Sequence, residues 1–221
     1  MSPDDDDHAP GWQHWGAHGW QQRQQLRRSV LAVHLFDWLE GQQKYVALLG
    51  RDGYRQQLLG WLSQASAQDC VAAGFALDGA LASRVSDSFE ASVLFSPAGE
   101  HRAVCWREAD WPAARAWVDG AALEAEVDAP GHWAAEHLYA VAVAGPSSHP
   151  QQDHASFGSY LGSVKSLLVW DAAGRHRAAL VEPRPDEAWS QPVATWRDGA
   201  LHVFADLQAE ARGEVARLLT L

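Results

Sequence analysis

The feature that most constrains this chain is a turn that occurs twice. Ala98-Gly99-Glu100-His101-Arg102-Ala103 and Ala173-Gly174-Arg175-His176-Arg177-Ala178 align without a gap as Ala-Gly-x-His-Arg-Ala. Each copy follows a short apolar run, Val93 to Phe95 and Leu168 to Trp170, and each is followed by another. Apolar run, Gly-containing turn, apolar run is the pattern of a β-hairpin. The sequence between the two copies does not repeat, so the echo alone does not establish a duplication.

The rest of the pattern builds around these hairpins. Phe89 to Trp106 reads as strand, turn and strand, and Leu167 to Glu182 as a second hairpin. Leu123 to Val127 reads as a strand that stops at the Pro130-Gly131 break. In His137 to Ala144, Leu138, Ala140, Ala142 and Ala144 alternate with Tyr139, Val141 and Val143, which predicts a sheet strand covered on both faces. Val193 to Trp196 and Ala200 to Phe204 flank Asp198-Gly199, a strong hairpin signal. Asp110-Trp111-Pro112 has the cap and first-turn proline of a helix that runs to Asp119-Gly120. Asp206 is expected to cap a final helix reaching Leu219, with Val215, Leu218 and Leu219 packing on the sheet.

Before Phe89 the apolar spacing turns helical. Leu26, Val30, Leu31, Leu35, Trp38 and Leu39 predict a helix over Gln21 to Glu40. Shorter helical stretches follow at Tyr45 to Leu49, at Tyr54 to Ser63, and at Asp69 to Val85, the last with Asp69 as N-cap. The fold class expected is therefore α+β: a helical N-terminal layer (21–86) packed on a mainly antiparallel β-sheet (87–221) with hairpins and a C-terminal helix. Residues 21–221 suit a single domain. Residues 1–20, with Asp4 to Asp7 followed by Trp12, His14, Trp15, His18 and Trp20, read as an acidic, Trp/His-rich tail whose adjacent charges repel and stay solvated.

Composition narrows the function classes. A formal net charge of -11 argues against nucleic-acid binding, which needs a basic patch to neutralise phosphates. A surplus of carboxylates instead steers basic protein partners. Twelve tryptophans supply core packing or, where exposed, anchors of a binding face. Cys70 and Cys105 have no C-x-x-C or metal-ligand spacing and read as reduced, buried thiols. No basic-then-apolar leader opens the sequence, and no apolar run reaches the roughly 18 residues of a membrane span. A cytoplasmic address without a membrane partner is expected.

The most specific polar features are His101-Arg102 and His176-Arg177, one pair leaving each copy of the turn. With Trp170 they form a candidate site for an anion or a partner if the two hairpins lie side by side, and ordinary exposed turn residues otherwise. Glu124, Glu126 and Asp128 alternate along one strand face, where paired carboxylates can do acid–base work or simply solvate the face. His14 and His18 have the four-residue spacing of two metal ligands on a helix. However, Trp15 stands where a zinc-protease helix has Glu, and Gly16 and Gly19 oppose a helix. His149, Asp153 and His154 lie in the Pro-, Ser- and Gly-containing stretch Pro146 to Tyr160, expected to be a long loop. No metal or cofactor is assigned from either group. There is no G-x-S-x-G elbow. Gly158 to Ser163 lacks the Lys that follows the second Gly of a phosphate loop, and Lys165 comes too late for that role.

With no catalytic residue to name, the charge and the tryptophans point to a binding protein. The expectation is an acidic cytosolic domain that recognises a basic protein, as a bacterial immunity protein or antitoxin neutralises a toxin. A secretion-system adaptor or chaperone fits nearly as well. The alternative from a different class is an enzyme or small-ligand-binding protein using the His/Arg hairpin residues.

Overall fold

Alternating buried and exposed side chains, the signature of a half-buried strand, mark segments such as 114–118, whereas others, such as 165–169, are buried throughout. The computed structural model describes residue 56 and residues 58–85, 89–108, 113–144 and 165–221. Two short helices come first, α1 (58–62) and α2 (Ala67–Ala72). Then follow β1 (Ala76–Asp78), β2 (Leu81–Val85), β3 (Phe89–Phe95), β4 (Arg102–Glu108) and β5 (Ala114–Val118). Next are β6 (Ala121–Trp133), β7 (Leu138–Ala144), β8 (Lys165–Asp171) and β9 (His176–Val181). The chain closes with β10 (Val193–Arg197), β11 (Ala200–Phe204), α3 (Leu207–Arg212) and β12 (Arg217–Leu219).

Strands β1 to β9 form one antiparallel sheet in strict chain order, and β10 to β12 form a second, three-stranded one. Asp-Gly dipeptides set two of the links. Asp119 and Gly120 have φ of 47° and 80° between the paired residues Val118 and Ala121. Asp198 and Gly199 have φ of 51° and 76° between Arg197 and Ala200. Both are two-residue turns with both central residues left-handed, the kind that matches strand twist. The repeated hexapeptide does make two hairpins, β3–β4 and β8–β9. Positive φ falls on Gly99 in the first but on Arg175, one aligned position later, in the second. One short sequence thus makes two different turns, so the echo is not a structural repeat.

The large sheet is folded on itself at β6. This strand shifts register against β5 between Arg115 and Trp117, and against β7 between Asp128 and His132. Such bulges bend and twist a strand. The second bulge contains a cis Ala129–Pro130 peptide and Gly131 at φ 71°. A Cβ on Gly131 would lie 2.5 Å from Oη of Tyr139 and 2.7 Å from the Ala140 carbonyl oxygen, so only glycine fits. Beyond the bend, Nε1 of Trp133 donates to the Leu94 carbonyl at 3.1 Å, and Glu136 accepts from the Ser96 hydroxyl and, at 2.6 Å, from the Ala98 amide. The inner faces of the two halves then share one core containing Ala103, Cys105, Ala116, Val118, Val127, Tyr139, Val141 and Leu168.

The outer face carries two separate covers. Over β2 to β4, Leu58, Trp61, Leu62, Cys70 and Phe75 pack on Ala91, Val93, Val104 and Trp106. Over β7 to β9, Leu138, Ala140, Leu167 and Val169 pack on Ala194, Leu201 and Val203 of the small sheet and on Trp189. Strand β7 is therefore buried on both faces, as its alternation predicts.

The expected α+β class, with a helical N-terminal layer, is corrected by this arrangement. Of the described residues 53% are in strands and 13% in three short helices, and no helical N-terminal layer is present among them. The helix expected from Asp69 to Val85 stops at Ala72, because Gly74 (φ 83°) and Gly79 (φ 56°) break it and Asp78-Gly79 opens a hairpin. Its N-cap is Ser66, and Asp69 completes the capping box from three residues inside. The helix expected after Asp110 is β5: Ala114, Ala116 and Val118 point inward at period two, and Asp119-Gly120 is a hairpin turn rather than a helix stop. The final helix keeps Asp206 as its cap but ends at Gly213 (φ 72°), leaving residues 217–219 to add a strand to the small sheet. Val215 and Leu218 are exposed, and Leu219 alone of the three named residues packs inward. The helices expected at 21–40 and 45–49 and the tail at 1–20 lie outside the described residues. No described helix is long and apolar enough to cross a membrane.

His132 joins the two sheets. Its Nε2 lies 2.9 Å from the Ala194 amide nitrogen and 3.0 Å from the Ala194 carbonyl oxygen. Burial pulls the imidazole below its ordinary range, so the ring is neutral and Nε2 accepts the amide proton, which can only be donated. A histidine whose folded pKa is depressed contributes stability above its unfolded value of about 6.5 and loses it as pH falls from there toward the folded value. Urea denaturation is therefore expected to give a stability that declines from pH 7 toward pH 5, with a shallower decline in His132→Gln.

Candidate functional site

The sequence-predicted residues occupy three different places. At the start of β4, one carboxylate holds two of them. Asp119 Oδ2 lies 2.6 Å from Nδ1 of His101, while Oδ1 accepts the Arg102 amide at 3.0 Å. The Asp119 amide donates back to the Arg102 carbonyl at 3.0 Å. The Arg102 side chain turns the other way and donates to the Ala65 carbonyl at 2.8 Å, just past α1. The His101 ring stacks on Trp133 with centroids 6.1 Å apart. Both side chains thus tie the hairpin to its neighbours.

His176 and Arg177 leave the other hairpin. His176 is mostly exposed, its Nδ1 3.8 Å from Asp171 Oδ2, and Arg177 is exposed opposite Trp170. In the sheet order β5, β6 and β7 lie between β4 and β8, so the two His-Arg pairs are not on adjacent strands. Trp170 is half-buried against the inner core, and its Nε1 is buried without an acceptor among the described residues. Glu124 and Glu126 stand exposed along β6, with Arg115 opposite Glu126. His14, His18, His149, Asp153 and His154 lie outside the described residues. Among the described residues no three His, Cys, Asp or Glu side chains gather as a metal site.

Asp128, the third carboxylate of the β6 row, is set differently. It sits at the second bulge of β6 and lines a cavity of about 390 Å³ with Arg107, Ala114, Ala129, Lys165, Ser190 and Gln191. Lys165 opens β8, and its side chain is only 3% exposed. Its Nζ lies 3.5 Å from Asp128 Oδ2. Burial pulls the Lys165 amine below the ordinary lysine range, against the opposing pull of Asp128. Arg107, also in the lining, pairs with Glu90 across the β3–β4 ladder.

The connection before β10 forms the remaining wall because it is pinned at several points. The Lys165 amide donates to the Trp189 carbonyl at 2.8 Å. The Trp189 side chain is 2% exposed in the core under the small sheet. Arg217 lies over its ring, 5.3 Å from the centroid, and makes a two-pronged pair with Glu187 at 2.7 and 2.9 Å. Ser190 and Gln191 follow directly, so their polar groups are carried to the cavity by a fixed segment.

Lys165 is the residue that motif reasoning passes over, because it fits no phosphate-loop spacing. Composition holds the signal that finds it. Of 17 basic side chains fifteen are arginines, and Lys44 and Lys165 are the two lysines. A chain that draws nearly all its positive charge from Arg keeps one of its two titratable amines buried in a pocket wall. The chain matches no known protein-family model, no curated protein sequence and no solved structure.

The Asp119 bracket yields a direct test. Asp119→Ala removes both acceptor contacts and leaves a Cβ residue at positive φ, and it is expected to cost about 1–3 kcal/mol in urea denaturation. Asp119→Asn, which tolerates the left-handed turn and still accepts the Arg102 amide, is expected to lose less than half of that. Equal losses would mean that the charge on Asp119, rather than the turn, holds β4.

Proposed function

We propose that this chain is a binding protein whose ligand site is the pocket at Lys165, and that its ligand is a small anionic molecule. The observation carrying this reading is the Lys165–Asp128 pair, a nearly inaccessible lysine in the lining of a cavity. Burying an ammonium costs several kcal/mol, and Asp128 is one of the groups that offset it. Buried titratable groups in clefts cluster at functional sites. Arg107 adds a planar fork that suits a carboxylate or phosphate, and Ser190 and Gln191 add neutral donors. The cavity volume falls in the range of small-molecule sites, about 300–1,000 Å³. Glu90 and Asp128 compete for the two cations, so a ligand of a few atoms is expected to bind weakly, in the millimolar range.

Titration calorimetry with phosphate, acetate and glycolate tests this. At least one is expected to bind, and Arg107→Gln to weaken it by about tenfold or more, the worth of a hydrogen bond to a charged group. If none of the three binds, or if Arg107→Gln binds as the wild type does, the pocket is not an anion site.

A second reading, recognition of a basic protein partner such as a toxin or effector, is favoured by a different observation. Glu124 and Glu126 stand exposed on β6 of the large sheet, with Arg115 opposite Glu126. Such carboxylates raise the on-rate for a cationic surface and make association salt-sensitive. Co-purification from native lysate at low and high salt, comparing wild type with Glu124→Lys/Glu126→Lys, is expected to retain one stoichiometric protein that both high salt and the double substitution release. The same retained set with either protein would remove this surface as the interface.

A further inference from the structure

We propose that the pocket captures a small carbonyl compound, an aldehyde or keto acid, as an imine on Nζ of Lys165. This rests on the reading of the pocket as a site for small anions and names the ligand's second functional group. A permanent positive charge would recognise an anion without chemistry, and elsewhere this chain overwhelmingly uses arginine for charge: fifteen of its 17 basic side chains. Lysine differs in that it can lose its proton and become a nucleophile, and a desolvated setting promotes that change. Lys165 has that setting, with a side chain 3% exposed that nonetheless lines the cavity.

The remaining groups divide the work. Asp128, 3.5 Å from Nζ, is placed to move protons at the reacting nitrogen and oxygen. Arg107, in the same lining, supplies a guanidinium for the ligand's carboxylate, leaving the carbonyl for the amine. Asp128 first takes a proton from the Lys165 ammonium; the amine lone pair then forms a C–N bond to the carbonyl carbon as the C=O π bond opens, and a proton passes from nitrogen to the carbonyl oxygen. The carbinolamine then loses its hydroxyl as water, with the proton delivered by the Asp128 carboxyl group. Nitrogen keeps the C=N bond, and the iminium is paired with the Asp128 carboxylate. The sum is amine plus carbonyl giving imine plus water, with no change of oxidation state. Burial, which pulls the Lys165 amine below the usual lysine range, raises the neutral fraction that begins the sequence.

The test uses the full chain with glyoxylate, the smallest oxo acid, followed by sodium borohydride, which reduces an imine to a stable secondary amine. Peptide mapping is expected to place one carboxymethyl group on Lys165, formed at least roughly tenfold faster than on Nα-acetyl-lysine in solution, as holding the carbonyl beside the amine would give. Lys165→Arg is expected to lose the modification. Calorimetry with glycolate, which has the carboxylate but no carbonyl, separates the two proposals. Glycolate binding without modification of Lys165 would overturn the imine and leave the anion site standing. Modification of Lys165 no faster than the free amine, with no binding of phosphate, acetate or glycolate, would overturn both. Modification on Lys165 at the faster rate supports the imine whether or not glycolate binds. The mapping is done on wild-type protein, so it stands even if Lys165→Arg does not fold.

Discussion

Everything distinctive about this fold depends on the change of direction within β6. A thirteen-residue strand lies between neighbours of five and seven residues, and its two register shifts absorb the excess. The second shift is held from inside: the Tyr139 hydroxyl donates to the Pro130 carbonyl, and Gly131 leaves room for that ring. Tyr139 is fully buried, and burial pushes its hydroxyl well above the usual tyrosine range, so it stays a neutral donor. An unmade hydrogen bond here would cost about 1–3 kcal/mol. Past this point the strand brings Trp133 and Glu136 to the β3–β4 turn, which closes one half of the sheet over the other.

Closure dictates the composition of the inside. The shared core is rich in alanine, with Ala103, Ala114, Ala116 and Ala172 among its members, and Trp133 tilts against Tyr139 with ring centroids 5.4 Å apart. Small side chains let the halves approach, and close-packed interiors tolerate little change of volume. The thiols follow the same logic. Desolvation pushes Cys70 up to about 12 and Cys105 up to about 11, so both stay protonated and act as small apolar groups. Outside, the sheet needs two covers because its outer face is exposed on both sides of the bend. The helices serve β2 to β4 and the small sheet serves β7 to β9.

The pocket is a by-product of this architecture. The bulge that turns β6 also aims Asp128 toward the first residue of β8. Trp189, buried under the small sheet and tied to Lys165 through its carbonyl, brings Ser190 and Gln191 to the same place. Residues from β4, β5, β6, β8 and the connection to β10 therefore meet at one cavity. None of these segments has a motif by itself. The pocket exists only where the layers meet.

From the sequence alone, the two hexapeptide hairpins, the doubly covered β7, the Asp198-Gly199 turn and the Asp206 cap were all legible, because each rests on contacts within a few residues. The same local reading failed at Asp69 to Val85, at Asp110 to Gly120 and after Gly213. Alanine-rich segments suit a helix by propensity, and only pairing with a neighbouring strand decides otherwise. Asp-Gly is a hairpin turn at 119–120 and at 198–199, yet it also reads as a helix stop when the preceding residues are good helix formers. The Glu124, Glu126 and Asp128 alternation was visible as a strand face, but the distinct fate of Asp128 was not, since it depends on a lysine 37 positions later in the chain. Sequence determined which short segments could turn and alternate, through backbone preferences that are local. Tertiary structure alone decided which strands pair, where the sheet folds and which amine is buried, because those depend on desolvation and packing between segments distant in the chain.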